Sequence, residues 1–236
     1  MPDPLPEKFV AGLDGCKAGW VMVTWSGRPD TSPQAAIIPD FSIALATAAT
    51  HLGVDMPIGF PADTERTCES LARQLLGPRK SSVFAVPCRQ AVYADDYPSG
   101  CEINANLTGK KFSKQSYHLF PKMREIDAAI TPADQARVFE IHPEVSFRAM
   151  NANTALEHYK KTPEGAALRT RLLRDVGFPI DRLQHPAWPK SKAASDDIID
   201  ACACCWSAWR IASNTHITLP PDPEYDASGF RMEINA

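Results

Sequence analysis

Residues 9–25 read FVAGLDGCKAGWVMVTW, two apolar runs separated by a short segment rich in glycine. The first run predicts a strand over residues 9–14, and the second predicts a strand from Trp20 to Trp25, because both favour a pleated backbone. The segment Asp14 to Gly19 between them predicts a tight turn, since Asp-Gly is a strong turn signal. We therefore expect an antiparallel hairpin that carries an acidic residue where its first strand ends.

The residues that follow extend this hairpin into a sheet. Ala35 to Ile38 predicts a third short strand, and the alanine-rich segment Phe41 to His51 predicts a helix. Gly53 to Gly59 then predicts a short buried strand and its exit loop, which we expect to join beside the first strand. Three strands, a helix and a fourth strand beside the first make a specific order of elements in an α/β chain.

Residues 61–136 interrupt this order and are more polar than the segments before them. We therefore predict a large insertion after strand four. It would be an inserted subdomain within a single domain of residues 1–236. Helical spacing recurs inside it at Thr64–Leu76 and Ser116–Ile126. After it, the apolar pattern predicts a strand at Ala136–His142 and helices at Pro143–Met150, Glu164–Val176 and Ala194–Ala212. Residues 220–236 are proline-rich and then weakly strand-like.

Composition narrows the class of protein. The 236 residues are enough for one substantial core, and the formal net charge of −3 means that a nucleic-acid partner would need a local basic patch. The start shows no basic segment followed by an apolar one, and no apolar run approaches the roughly 18 residues of a membrane span. Seven cysteines, with Cys202, Cys204 and Cys205 in one apolar helical segment, indicate buried reduced thiols. We expect a cytoplasmic protein with no membrane contact.

Acidic residues lie where apolar runs end or begin. Asp14 and Asp55 each close one run, Glu140 sits inside another, and Asp197 and Asp200 open the last helix. An ionised carboxylate at the end of a buried strand is costly unless something pairs with it. Asp197 and Asp200 are three residues apart and so lie on one helix face. Several such carboxylates in one α/β chain predict that they converge on a cation.

Six blocks of sequence, spread over nearly the whole chain, resemble a known family. They are Leu13–Val21, Val54–Gly59, Arg79–Phe84, Thr108–Lys110, Glu140–Phe147 and Asp196–Ala201. Together they resemble the DUF429 family, a group described as predicted RNase H-like nucleases. The resemblance implies an RNase H-like fold, in which the first three strands of a mixed sheet are antiparallel and helices cover both faces.

The same resemblance implies a metal-dependent hydrolysis of phosphodiester bonds in nucleic acid. Nucleases of this fold hold two Mg²⁺ or Mn²⁺ ions between carboxylates on the first strand, the fourth strand and a late helix. These positions correspond to Asp14, Asp55 and the pair Asp197 and Asp200, and oxygen ligands suit such hard cations. One ion would activate a water and the other would stabilise the leaving oxygen. Glu140 and His142 would assist them as further catalytic residues.

A basic set of residues is predicted to bind the substrate. The insertion is locally basic, and such a segment can follow a phosphate backbone. The predicted substrate-binding residues are Lys17, Arg79, Lys80, Ser81, Ser82, Lys110, Lys111 and Lys122.

Simpler interpretations stay open for each of these residues. Asp14-Gly15 is also a plain hairpin turn, and Asp55 also a plain strand end. Asp196 and Asp197 also suit the first turn of a helix, where the helix dipole favours acidic residues. Glu140 with His142 also fits an internal ion pair, and Lys110-Lys111 a solvated loop.

Two other functional classes stay open as well. Asp-Gly at the tip of a first hairpin also resembles the phosphate-binding turn of actin-like ATPases and sugar kinases, although no second such hairpin and no Gly-x-x-x-x-Gly-Lys-Ser/Thr loop is present. A non-catalytic domain that binds a ligand or partner on the same scaffold is the third class. Metal-dependent cleavage of nucleic acid separates the first class from the third, and stabilisation by nucleotide without cleavage would favour the second.

Overall fold

A computed structural model describes residues 9–236 of the chain. Its main sheet contains β1 Val10–Cys16, β2 Gly19–Trp25, β3 Gln34–Ile38, β4 His51–Val54 and β5 Val138–Glu140. The strands lie in the order β3-β2-β1-β4-β5. The first three are antiparallel, while β4 and β5 run parallel to β1. This confirms the predicted α/β fold with a mixed sheet whose first three strands are antiparallel.

Eight α-helices and a small second sheet complete the described part of the chain. The helices are α1 Phe41–Leu45, α2 Thr67–Leu76, α3 Arg89–Val92, α4 Tyr97–Thr108, α5 Lys114–Ala129, α6 Pro143–Met150, α7 Pro163–Asp175 and α8 Ser195–Ala212. The second sheet pairs β6 Thr218–Tyr225 with β7 Arg231–Asn235 in antiparallel register.

Helices cover both faces of the main sheet because its strands are apolar on both sides. On one face, Leu13 and Val54 pack in one cluster with Phe120 and Met123 of α5. On the other face, Val10 and Val23 pack in a second cluster that includes residues of α6, α7 and α8. Strands buried on both faces read as nearly continuous apolar runs, which is the pattern of residues 9–14.

The hairpin turn lies two residues later than the sequence predicts. β1 continues to Cys16, which pairs with Gly19, so Lys17 and Ala18 form the turn. Cys16 is buried and Gly19 takes a φ of 128°, a conformation that other residues rarely adopt. Asp14 is therefore inside the strand, opposite Val21, and the interpretation of Asp14-Gly15 as the turn is wrong.

Two helices in the first half differ from the sequence prediction. The helix from Phe41 ends at Leu45, because the Thr47 hydroxyl donates to the carbonyl of Ala44 and the chain turns back toward β4. α4 was not predicted, although its sequence has clear end signals. Asp96 accepts from the backbone N–H of Ser99 at 2.8 Å, and Gly109 ends the helix in the left-handed conformation.

The predicted insertion, residues 61–136, is helical. Its helices α3, α4 and α5 pack against the main sheet within one apolar cluster, and Trp20 of β2 donates to Glu125 of α5 at 2.9 Å. The division into one domain with an inserted subdomain stays a prediction. All seven cysteines are buried, and none forms a disulfide. Within residues 9–236, no helix has the length and apolar character that crossing a bilayer requires.

Candidate metal centre

Three predicted carboxylates meet at one edge of the sheet. Asp14 of β1, Asp55 just after β4 and Asp200 of α8 each offer an oxygen, and these three oxygens lie within 4.8 Å of one another. We call these three residues the acidic trio. Asp14 and Asp200 are only 8% and 2% exposed, so the carboxylates are withdrawn from bulk water.

Two glycines bring α8 close enough to the sheet to complete the trio. Gly12 and Gly53 are paired across β1 and β4. A methyl group on Gly12 would lie 2.0 Å from the backbone nitrogen of Cys205, and one on Gly53 would lie 2.7 Å from the carbonyl of Cys204. Side chains alternate along a strand, so Gly12 and Asp14 share one face. The close approach of α8 over the glycines therefore places Asp200 beside the strand carboxylates.

The trio favours protonation or a bound cation over three free charges. Burial, followed by repulsion from Asp55 and Asp200, holds the pKa of Asp14 well above its usual range. Burial also raises the pKa of Asp55 and of Asp200 to about 6, although the nearby Lys160 ammonium opposes the rise in both. Perturbed carboxyl groups of this kind cluster at functional sites.

Lys160 is the counter-charge of the trio, and the sequence did not identify it. Its ammonium donates to Asp200 at 2.5 Å and lies 4.0 Å from Asp196. The attraction of Asp200, Asp14 and Asp55 raises the pKa of Lys160 in spite of its burial. Lys160 lies in the irregular segment between α6 and α7, where no local pattern indicates which residues it will contact.

A cavity of about 680 Å³ opens onto the trio. The trio and Lys160 are among its lining residues, and so are Arg79, Ser81 and Ser82. Apolar side chains of the exit loop of β4, of residues 83–86 and of α5 contribute the rest, among them Met56, Phe84, Val86, Leu119 and Met123. Its size lies in the range of about 300–1,000 Å³ that is typical of small-molecule sites.

A family model described as "Protein of unknown function (DUF429)" matches residues 12–225, which is most of the chain. The chain belongs to the DUF429 family. The resemblance seen in the six sequence blocks is thereby confirmed. Comparisons with curated proteins and with solved structures give no match.

Glu140 of this DUF429 protein lies in a different cluster from the trio. Arg66 donates to both of its carboxylate oxygens, at 2.5 and 3.0 Å, and the backbone N–H of Ile58 donates to it at 2.7 Å. Arg66 also donates to Glu69 at 2.7 Å. We call Arg66, Glu69 and Glu140 the arginine cluster. Glu140 lines the cavity, but its partner is Arg66 rather than His142, so the interpretation of an ion pair with His142 is wrong.

Asp197 and His142 also lie close to the trio without joining it. The Asp197 carboxylate accepts from the backbone N–H of Ala194 at 2.8 Å and so caps α8, while its pKa is raised by burial. His142 lines the cavity, with Nε2 at 3.3 Å from the carbonyl of Ser82 and Nδ1 without a partner. Burial lowers the pKa of His142. A metal role for Asp197 and a catalytic role for His142 stay predictions.

The predicted substrate-binding residues divide into two groups. Four of them line the cavity: Arg79, Ser81, Ser82 and Lys122. Lys122 also lies over the Trp20 ring, 4.1 Å from its centroid. The other four are exposed outside the cavity lining: Lys17, Lys80, Lys110 and Lys111. Lys110 is engaged with Glu65 at 2.9 Å, and substrate binding by either group stays a prediction.

Proposed function

We propose that this DUF429 protein hydrolyses phosphodiester bonds of nucleic acid with the help of divalent cations, on an RNase H-like fold. The acidic trio carries this proposal, because it gathers three carboxylates from β1, the end of β4 and the last long helix. The strand order β3-β2-β1-β4-β5 supports the fold label that the resemblance implies. The family itself does not determine the activity.

The chemistry of the trio fits a hard cation. Its donors are all carboxylate oxygens, the ligands that Mg²⁺ and Mn²⁺ prefer, and no cysteine or histidine belongs to this group. The raised pKa values of Asp14, Asp55 and Asp200 have the same main cause, which is burial of the carboxylates. We propose two ions, held by the trio with a weaker contribution from Asp197. Such ions acidify water and stabilise charge on phosphoryl oxygens.

The side chains of the chain itself have separate tasks in this proposal. Lys160 neutralises part of the trio's charge and moves aside, or contacts the phosphate, when a cation is held there. Arg79, Ser81, Ser82 and Lys122 contact the substrate from the other walls of the cavity. Glu140 keeps the start of the insertion in place through Arg66 and Ile58, and His142 holds or passes a proton at Nδ1.

The test is calorimetric titration of Mn²⁺ into the wild type and into Asp14→Asn, with cleavage assays on single-stranded, duplex and branched nucleic acids. We expect the wild type to bind Mn²⁺ and cleave at least one substrate, and Asp14→Asn to lose both. The stoichiometry of the titration tests the number of ions. Asp175→Asn is the matched control, because Asp175 is 60% exposed on α7 and far in sequence from the trio.

Two outcomes would overturn the proposal. Absence of both Mn²⁺ binding and cleavage in the wild type would leave a ligand-binding domain on this scaffold. Stabilisation by ATP with phosphoryl transfer, but without cleavage of nucleic acid, would support the nucleotide phosphotransferase class instead.

A further inference from the structure

A buried guanidinium without a carboxylate partner lines the same cavity as the trio. Arg79 is only 6% exposed, and within residues 9–236 it forms no ion pair. Its Nε donates to the carbonyl of Leu156 at 2.9 Å, and its Nη2 has no hydrogen-bond partner. Leaving a buried charge unpaired is costly, so an anionic ligand is the partner that this site lacks.

The surroundings of Arg79 are built to hold an anion. Its guanidinium stacks on the Tyr159 ring, 4.0 Å from the ring centroid, which fixes the plane of its donors. Ser81 and Ser82 line the same cavity, and the Ser82 hydroxyl donates to the backbone carbonyl of Arg79 at 2.9 Å. A planar guanidinium with free N–H groups matches the oxygens of a phosphate, which it binds through two parallel hydrogen bonds.

The other buried arginines differ from Arg79 in one respect. Arg66 is bound by Glu69 and Glu140, and Arg169 is bound by Glu144. Within the described chain, the guanidinium groups of Arg66 and Arg169 therefore pair with carboxylates. The guanidinium of Arg79, which lines the cavity, has no carboxylate partner. This difference indicates a ligand site rather than a structural ion pair.

The shape of the cavity limits the size of the ligand. Its walls come from several separate segments, among them Arg79 with residues 81–86, α5, residues 140–144 and residues 159–161. The trio lies at the base of these walls, since Asp14 and Asp200 are nearly inaccessible. A phosphate inside a continuous duplex is flanked by neighbouring phosphates on the outer surface of the helix, and these would meet the walls first.

We infer that the cavity binds one nucleotide unit at a time, a free nucleotide or the unpaired end of a strand, with a phosphate group at Arg79. The apolar side chains of Met56, Phe84, Val86 and Leu119 then contact the base. The ester bond that is hydrolysed then lies against the carboxylates of the trio. The inference rests on the proposed function and names its substrate class.

The experiment measures binding of AMP, adenosine and inorganic phosphate by calorimetry in the presence of a chelator. The wild type is expected to bind AMP more tightly than adenosine. Arg79→Gln is expected to lose at least about tenfold in affinity for AMP, because a hydrogen-bonded charge is removed, and little for adenosine. Arg171→Gln, with the same charge change at a side chain that is 63% exposed on α7, is the control.

The result distinguishes this inference from the proposed function. Asp14→Asn lacks the proposed metal site but keeps Arg79, so it is expected to bind AMP at least as tightly as the wild type under chelation. Loss of Mn²⁺ binding with intact AMP binding would contradict the proposed function alone. Equal AMP affinity in the wild type and Arg79→Gln, or no AMP binding at all, would overturn the nucleotide site.

Two further experiments allow for a folding defect of Arg79→Gln and for a ligand larger than a nucleotide. If Arg79→Gln does not fold, Tyr159→Ala replaces it. Tyr159 is 66% exposed, so its loss should affect stability little, and the change removes the ring that stacks on Arg79. This variant is expected to weaken AMP binding several-fold, and an unchanged affinity would count against the site. A closed circular DNA duplex, which has no strand ends, is expected not to compete with AMP, and competition would show that the ligand is duplex.

Discussion

The acidic trio and the arginine cluster both bury carboxylates beside one cavity, yet they differ in how the chain balances the charge. In the arginine cluster, the fully buried Arg66 donates from all three nitrogens, to Glu69, to Glu140 and to the carbonyl groups of Ile58 and Gly59. In the trio, the one ion pair among the described residues joins Lys160 to Asp200, and the Lys160 side chain is 37% exposed.

This difference separates a structural cluster from a candidate binding site. Carboxylates whose counter-charge is fixed and hydrogen-bonded stabilise the fold only in that arrangement, and removal of one partner is strongly destabilising. Burial raises the pKa in both clusters, since the pKa of Glu140 is raised to about 7. The difference lies in the pairing: carboxylates without a hydrogen-bonded cation remain available to an external cation. The four predictions below test this contrast.

The largest effect is expected from Arg66→Met. This change leaves Glu69 and Glu140 buried without a cation, so the free energy of unfolding should fall by about 3–5 kcal/mol. Urea denaturation followed by circular dichroism measures it, with the exposed Arg171→Met as the control. The Mn²⁺ affinity of the folded fraction should not change. Wild-type stability in Arg66→Met would show that the arginine cluster is not structural.

Asp200→Asn should instead raise the free energy of unfolding, and the size of the increase should depend on pH. The pKa of Asp200 is raised to about 6 in the folded protein from 3.8, so the folded state disfavours ionisation. The penalty is absent below 3.8, grows as the pH rises to about 6 and is constant above that value.

Without metal, Asp200→Asn should therefore be more stable than the wild type above the folded pKa, by about 2 kcal/mol. Denaturation at a series of pH values, with chelator present, gives the difference between the two proteins. Asp175→Asn should show no such rise. A difference that is constant across the pH series would contradict the raised pKa.

Lys160→Met should destabilise the metal-free protein by a smaller amount. Its ammonium is partly exposed and therefore screened by solvent, so we expect a loss of about 1–2 kcal/mol. Mn²⁺ should recover this loss, because a cation takes over the charge balance of the trio. Thermal unfolding with and without Mn²⁺ measures both effects. An equal Mn²⁺-induced shift in the wild type and the variant would show that Lys160 and the cation do not compete.

Asp197→Asn should have the smallest effect. Asparagine also caps helices, so the stability should stay within about 0.5 kcal/mol of the wild type. Because the structure places Asp197 outside the trio, we expect Mn²⁺ affinity to fall by less than about tenfold, or 1.4 kcal/mol. A complete loss of Mn²⁺ binding, equal to that of Asp14→Asn, would instead make Asp197 a fourth ligand.

Local patterns in the sequence were sufficient for most of the scaffold. The apolar runs at residues 9–14 and 20–25 predicted the hairpin, and helical spacing predicted α8. Asp96 and Gly109 carry capping signals for α4, but helical spacing does not predict this helix, because Gly100 and two asparagines between them are poor helix formers. The early end of α1 was not predictable from spacing, since the side chain of Thr47 redirects the chain.

The sequence by itself indicated the strands of the sheet, the family and a set of carboxylates that includes the trio, because apolar runs mark strands locally and each family block is a short local match. Alternation along β1 places Gly12 and Asp14 on one face, and the last helix carries Asp200 in its first turns. Only the tertiary structure decided which charge meets which. Three features depend on segments that are distant in sequence: the pair of Lys160 with Asp200, the pair of Arg66 with Glu140, and the unpaired Arg79. Contacts between distant segments produce no local periodicity in the sequence, so they could not be predicted from it.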